Sequence, residues 1–165
     1  MSSSDRRTFL TALALLPLAG CGFEPAFAPS GAAHGLQGQI LVAPATNRTG
    51  FVLVGRLEDR LGRSGAGARY ELKVSMRTRK EAIGITTANE IERFNVIGEA
   101  DFVLREMAGG TVVQSGQVQN FTSYSATAST VSTLTAERDA LERLAAALAD
   151  QIVTRLLAGA AGRGS

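Results

Sequence analysis

One thiol carries the sharpest chemistry in this sequence. Cys21 is the single cysteine among 165 residues, and it follows Leu18-Ala19-Gly20. A lone cysteine with a lone histidine leaves too few ligands for a Cys/His zinc site, no Cys–His nucleophile pair and no internal disulfide. The histidine, His34, stands in a Gly/Ala/Ser stretch and reads as a solvated linker residue, because a ligand or general base needs partners that are missing there. Ser123, Ser125 and Ser129 have no base to activate them, and Glu58/Asp59 and Glu90/Glu92 fall on a helix surface and a loop with no histidine near. Gly62-Arg63-Ser64-Gly65-Ala66-Gly67 follows a helix and lacks Gly-Lys-Ser/Thr, so it is not a phosphate loop. The cations are better organised. Arg69, Lys73, Arg77 and Arg79 project to one side of one strand, about 7 Å per two residues, with Lys80 next and Arg93 on the following strand. Lys73, Arg77, Arg79, Lys80 and Arg93 are therefore a candidate shallow anion-binding patch. Glu71, Glu99 and Asp101 support the competing reading, a solvated strand face in which cross-strand acids neutralise these cations. The residue types point to binding, not to an enzyme, and imply neither metal nor cofactor.

Cys21 closes a three-zone N-terminus. Met1–Arg7 is polar and ends in two arginines, Phe9–Leu18 is an apolar run, and Ala19-Gly20 are small. A positive region, a short apolar run and a small-residue site make a secretory signal peptide over residues 1–20. About 20 apolar residues are needed to cross a bilayer as a helix, more than this run supplies, and no later segment reads as long and charge-free enough. Leu18-Ala19-Gly20-Cys21 resembles a bacterial lipobox, in which the thiol takes a diacylglyceryl group and the freed amine a further acyl chain such as palmitate. Two or three chains anchor stably where one does not. Gly22, in place of the aspartate that marks inner-membrane retention, implies delivery to the outer membrane. Arg6-Arg7-Thr8-Phe9-Leu10 resembles a twin-arginine export signal as well, which leaves the export route open. Cleavage removes Asp5, Arg6 and Arg7; taking two from 17 basic and one from 15 acidic side chains leaves a 145-residue chain of formal charge +1. That surplus is too small for a nucleic-acid binder. With 45% hydrophobic and 19% charged residues the chain has the composition of a folded domain.

The elements that must position these side chains follow from periodicity. Residues 21–38, rich in glycine with two prolines, read as an acylated N-terminus and flexible tether. Gln39–Ala43 reads as a first strand buried on both faces, ended by Pro44. Asn47-Arg48-Thr49 offers caps for a helix over Gly50–Arg63 with Val54, Leu57 and Leu61 inward and Gly62 and Gly65 as its stop; Phe51–Val54 leaves a strand as the other option. Arg69–Arg79 alternates strictly, with Tyr70, Leu72, Val74, Met76 and Thr78 on one face, which predicts a strand covered on one side only. Ala82–Asn89 reads as a turn or strand extension. Arg93–Glu106 is a third strand with Phe94, Val96, Gly98, Ala100, Phe102 and Leu104 on one face, Ala108-Gly109-Gly110 a hairpin turn, and Thr111–Ser125 a more polar fourth strand. Ala126–Thr135 reads as a connection, with Thr133 or Thr135 capping a helix from Ala136 to about Ala158 whose stripe is Leu141, Leu144, Leu148, Ile152 and Leu156. Residues 159–165 read as a disordered tail. The fold class expected is α+β, a mostly antiparallel four-stranded sheet with two helices packed on one face, in the order β-α-β-β-β-α, the domain spanning residues 39–158.

The pattern resembles the LptE family of lipopolysaccharide-assembly lipoproteins. The resemblance rests on Cys21-Gly22-Phe23-Glu24-Pro25 and the strand–helix opening. It continues through Arg93-Phe94 leading into Ala100-Asp101-Phe102-Val103-Leu104 and the polar run Ser123–Ser129. It closes on the helix Glu137-Arg138-Asp139-Ala140-Leu141…Ile152. The resemblance implies a non-enzymatic lipoprotein, held on the periplasmic face of the outer membrane by acyl chains in its inner leaflet. Its implied partners are lipopolysaccharide and an outer-membrane β-barrel of the LptD type, whose lumen it plugs and whose assembly it assists. Lipid A phosphates are then the anions for Lys73, Arg77, Arg79, Lys80 and Arg93. Ile83, Ile85 and Ile91 around a hairpin tip become candidates for docking inside the barrel, unless they extend the strand and pack under the first helix. The alternative, from another class, is a free-standing periplasmic lipoprotein that binds a small lipid or peptide.

Overall fold

In the computed structural model the chain is described over residues 35–65, 67–85, 91–127 and 129–162. The signal peptide, Cys21, His34 and the last three residues lie outside these, as do the side chains of Ile85 and Ile91. The elements run β1 (Ile40–Val42), α1 (Arg48–Leu61), β2 (Tyr70–Ile85), β3 (Ile91–Glu106), β4 (Val112–Ser125) and α2 (Thr130–Ala161). The sheet has the order β1-β2-β3-β4. β2, β3 and β4 form an antiparallel meander, whereas β1 pairs parallel with β2, Ile40 opposite Tyr70. Parallel pairing follows from connectivity, because a helix separates β1 from β2 and returns the chain in the same direction.

The period-two strands match their expected faces. Leu72, Val96, Ala100, Phe102 and Leu104 are buried, and they line one side of the sheet with Ile40, Val42, Val118 and Tyr124. Gly98 sits there because α2 comes so close: a Cβ on it would lie 2.9 Å from Leu144 Cδ2 and 3.0 Å from Leu148 Cδ1. The hairpin turn is where the Ala-Gly-Gly signal puts it, with Gly110 at φ 67 and its N–H donating to the Glu106 carbonyl at 2.8 Å.

The helices lie on that same face. Asn47 caps α1 by accepting from the Gly50 N–H at 2.8 Å, and the buried stripe is Leu53, Leu57 and Leu61, with Val54 only partly covered. Gly62 ends it at φ 77, while the Leu61 carbonyl accepts from the Gly38 N–H at 2.8 Å. This last bond ties the preceding stretch to the domain. Leu36, within the segment read as tether, is in the core at 5% exposure.

Two expectations at the ends of the elements need correction. β1 is not buried on both faces, since Leu41 points to solvent at 43% exposure while Ile40 and Val42 are in the core. An edge strand of three residues has only one covered side. α2 begins at Thr130, six residues before Ala136, and continues to Ala161 through the first residues of the expected tail. Its N-cap is Ser129, accepting from the Ser132 N–H; Thr133 does not cap but straps the turn, bonding Thr127 and the Ser129 carbonyl. Serine and threonine hydroxyls that satisfy free backbone groups let a Ser/Thr-rich stretch start a helix despite modest intrinsic propensity. On length and composition α2 also qualifies to cross a membrane, contrary to the reading that no later segment does. Its apolar rows Leu144, Leu148, Ile152, Leu156 and Ala145, Ala149, Val153 are, however, buried in the core. They are four residues apart on adjacent rows, as a helix laid on a sheet requires.

Candidate functional site

The open face of the sheet holds most of the predicted cations, and each is met by an acid. Arg77 donates to Asp101 at 2.8 Å, Arg79 to Glu99 at 3.2 Å and to Glu81 at 3.1 Å, and Lys73 pairs with Glu71 at 3.4 Å. The two arginine bonds to β3 are diagonal: Arg77 stands opposite Glu99 and Arg79 opposite Ile97 in the register. Asp101 also accepts from Gln117 Nε2 on β4 at 2.9 Å, so the ladder runs across three strands. Exposed pairs of this kind contribute about 0–1 kcal/mol each, and they leave the face nearly neutral.

The five candidates are not brought together. Lys80 is on the helix side of β2, where Nζ donates to Glu137 Oε1 of α2 at 2.9 Å. Its position reflects strand parity, since Lys80 follows Thr78 on the covered face, whereas Lys73, Arg77 and Arg79 share the open one. Arg93, opposite Ser125, is exposed at the tip end of the sheet and forms no ion pair among the described residues.

Lys80 belongs to a small cluster that fastens α2 to the strand ends. Tyr124 is 7% exposed, stacks on Phe94 with centroids 5.4 Å apart, and donates its hydroxyl to Glu137 Oε2 at 3.3 Å. Burial, then the Glu137 charge, push the Tyr124 phenol above its ordinary value; the bond to Glu137 raises Lys80. Both shifts act in one direction. The folded state holds these protons more tightly than the unfolded chain, so their contribution is complete below about pH 10 and is lost as pH climbs past it. Tyr124→Phe keeps the stack but not the titrating group. It is expected to cost no more than about 0.5–1.5 kcal/mol at pH 7 and to flatten the decline in stability between pH 9 and 11. Denaturant melts across that range check it, and an unchanged alkaline slope contradicts the assignment.

The tip end also carries exposed apolar side chains. Ile83 is 51% exposed and Phe121 62%, and Val131 and Leu134 in the first turns of α2 are 74% and 52% exposed. Ile83 was among the predicted docking residues; the Cα atoms of Ile85 and Ile91 pair at the hairpin end. Phe121, Val131 and Leu134 were missed. The available signal was Val131-x-x-Leu134, an i,i+3 pair out of phase with the Leu144–Leu156 row, but it appears only once the helix is extended back to Thr130. Asn95, Ile97, Gln119, Asn120 and Phe121 outline an open depression of about 440 Å³ beside this end. A second open groove of about 630 Å³ runs between β4 and α2, lined by Gln117, Val118, Gln119, Asp150, Gln151, Thr154 and Arg155. Asp150 in it is already held by Arg56, whose Nε and Nη2 both donate at 3.2 Å, which raises the guanidinium above its ordinary value. No group of three or more metal-ligating side chains occurs among the described residues.

A four-stranded sheet with both helices on one face and a neutral, open second face defines an α+β domain shared with solved bacterial lipoproteins. A chain from Caulobacter crescentus CB15 assigned as a lipoprotein is similar at 28% identity and TM-score 0.67, over 79% of this chain and 96% of that one. Rare lipoprotein B from Shewanella oneidensis shares the fold at TM-score 0.58 and 8% identity, covering 77% and 98%. A minor lipoprotein from Acinetobacter baumannii does so at TM-score 0.52 and 16% identity, covering 72% and 88%. No curated protein matches the sequence. Residues 38–156 match the family model described as LptE, lipopolysaccharide-assembly, and the chain belongs to that family.

Proposed function

We propose that this chain is a lipoprotein anchored through acylated Cys21 at the periplasmic side of the outer membrane. There it seats in an LptD-type β-barrel and assists delivery of lipopolysaccharide to the outer leaflet, without catalysing a reaction. The observation that carries this reading is the family match, which spans β1 through nearly all of α2. The surface chemistry supports a role in binding: Arg77, Arg79 and Lys80 of β2 are spent on acids in pairs, while apolar side chains at the tip end stand in solvent. Such a tip suits docking against another protein.

In this reading the anion contact falls to Arg93 more than to the β2 ladder. A phosphate at Arg77 or Arg79 must displace Asp101, Glu99 or Glu81; at Arg93 it displaces no acid among the described residues. Depletion of the protein is expected to lower lipopolysaccharide on the cell surface, and the wild-type chain to restore it. Purified Arg93→Glu is expected to bind lipopolysaccharide about tenfold more weakly, and Arg77→Gln with Arg79→Gln within about twofold of wild type. Surface lipopolysaccharide that is indifferent to depletion removes the function. Arg93→Glu with unchanged affinity removes the site alone.

A further inference from the structure

The two long edges of this sheet are guarded very differently. Beyond Leu72, where β1 stops pairing, β2 has an open edge, and that stretch carries Lys73, Arg77, Arg79, Lys80 and Glu81. Charges at an edge discourage another strand from pairing. β4 forms the opposite edge, and its 14 residues, VVQSGQVQNFTSYS, contain no charge and no proline. Among the described residues no strand pairs with its outer side.

The backbone of β4 shows which residues face outward. The Phe121 N–H is taken by the neighbouring Asn120 Oδ1 at 2.8 Å, and the Ser123 carbonyl accepts from Arg143 Nη2 of α2 at 3.4 Å. Both groups therefore lie on the side away from β3. In an antiparallel ladder N–H and C=O of one residue point the same way and alternate along the strand. Gln117 and Gln119 consequently present their amides and carbonyls outward too, into the groove whose other wall is Gln151, Thr154 and Arg155.

We propose that the outer edge of β4 is a strand-docking site, which takes an extended segment of a protein partner by backbone hydrogen bonding, with the incoming side chains against α2 on one side. The outward amides and carbonyls of Gln117 and Gln119 are groups that another backbone recognises above all. The partner segment is uncharged to acidic, because Arg143 and Arg155 stand towards the two ends of the groove, while Asp150 in its lining is already held by Arg56. The same cations disfavour a second copy, since a two-fold pairing centred near Val118 sets Arg143 of one chain towards Arg155 of the other. The proposal rests on the barrel-partner reading and names the surface that partner would use.

The test is amide exchange of the full acylated chain, alone and in complex with its co-expressed barrel partner. Exchange at Gln117 and Gln119 is expected to slow at least about tenfold in the complex. Gln119→Pro removes an outward N–H without touching the β3 ladder, and is expected to weaken the complex at least about tenfold while the melting temperature of the free chain holds. Gln119→Thr keeps the N–H and is expected to bind as wild type does. A complex in which these amides exchange as in the free chain, and which tolerates the proline, overturns the docking edge and leaves the barrel reading standing. Failure of the wild-type chain to form any complex overturns both. Protection that grows with concentration in the free chain, together with a doubled mass, assigns the edge to a second copy and overturns the partner strand.

Discussion

Phe102→Ala is expected to destabilise the domain by about 3–5 kcal/mol, a large share of the 5–15 kcal/mol that typically holds a domain folded. Phe102 is 1% exposed on the covered face of β3. Its ring also explains a glycine. A Cβ at Gly116 on β4 would lie 2.9 Å from Phe102 Cζ and 3.0 Å from Cε1. A ring that is packed on all sides cannot give way, so Gly116→Ala in the wild-type background is expected to cost about 1–3 kcal/mol. In a Phe102→Leu background the same alanine meets a shorter side chain, and its cost is expected to fall by at least about 1 kcal/mol. Urea melts of the four variants measure that coupling. Strictly additive losses contradict the packing of Phe102 against Gly116.

Cys21→Ser is expected to move the protein from the membrane pellet to the soluble periplasmic fraction almost completely, and to remove the acyl mass. Serine offers no thiol for the diacylglyceryl group, and each buried CH₂ of the lost chains is worth about 0.8 kcal/mol of membrane affinity. The domain is expected to melt unchanged, because among the described residues its core is built from Leu36 to Leu156. Fractionation with intact-mass spectrometry reads both effects. A serine variant that pellets as fully as wild type and has no acyl group to lose contradicts a lipid anchor at this position.

Much of the architecture was legible because β2 and β3 alternate with unbroken period two and pack on one side only. The faces of Tyr70–Met76 and Phe94–Leu104 follow from that alone. So does the neutral ladder, as Glu71, Glu99 and Asp101 fall on the same parity as Lys73, Arg77 and Arg79. Parity also separates Lys80 from Arg79, which proximity in sequence obscures. The early start of α2 was not legible, because β-branched and hydroxyl residues at 130–135 score poorly for helix and take their stabilisation from the Ser129 cap and the Thr133 strap. Leu41 was misjudged for a related reason: a short apolar run looks the same at a sheet centre and at an edge. The unguarded edge of β4 was hidden too, since absence of charge is meaningful only once strand order is known.

Purification from native outer membranes in mild detergent, with the acyl anchor intact, shows whether the lipoprotein works as the partner of a barrel. The 145-residue acylated chain is expected to elute bound to one large β-barrel at equal stoichiometry and to stay bound through high-salt washing, as apolar tip contacts require. Elution as a lone monomer with lipid in one of its grooves would contradict it.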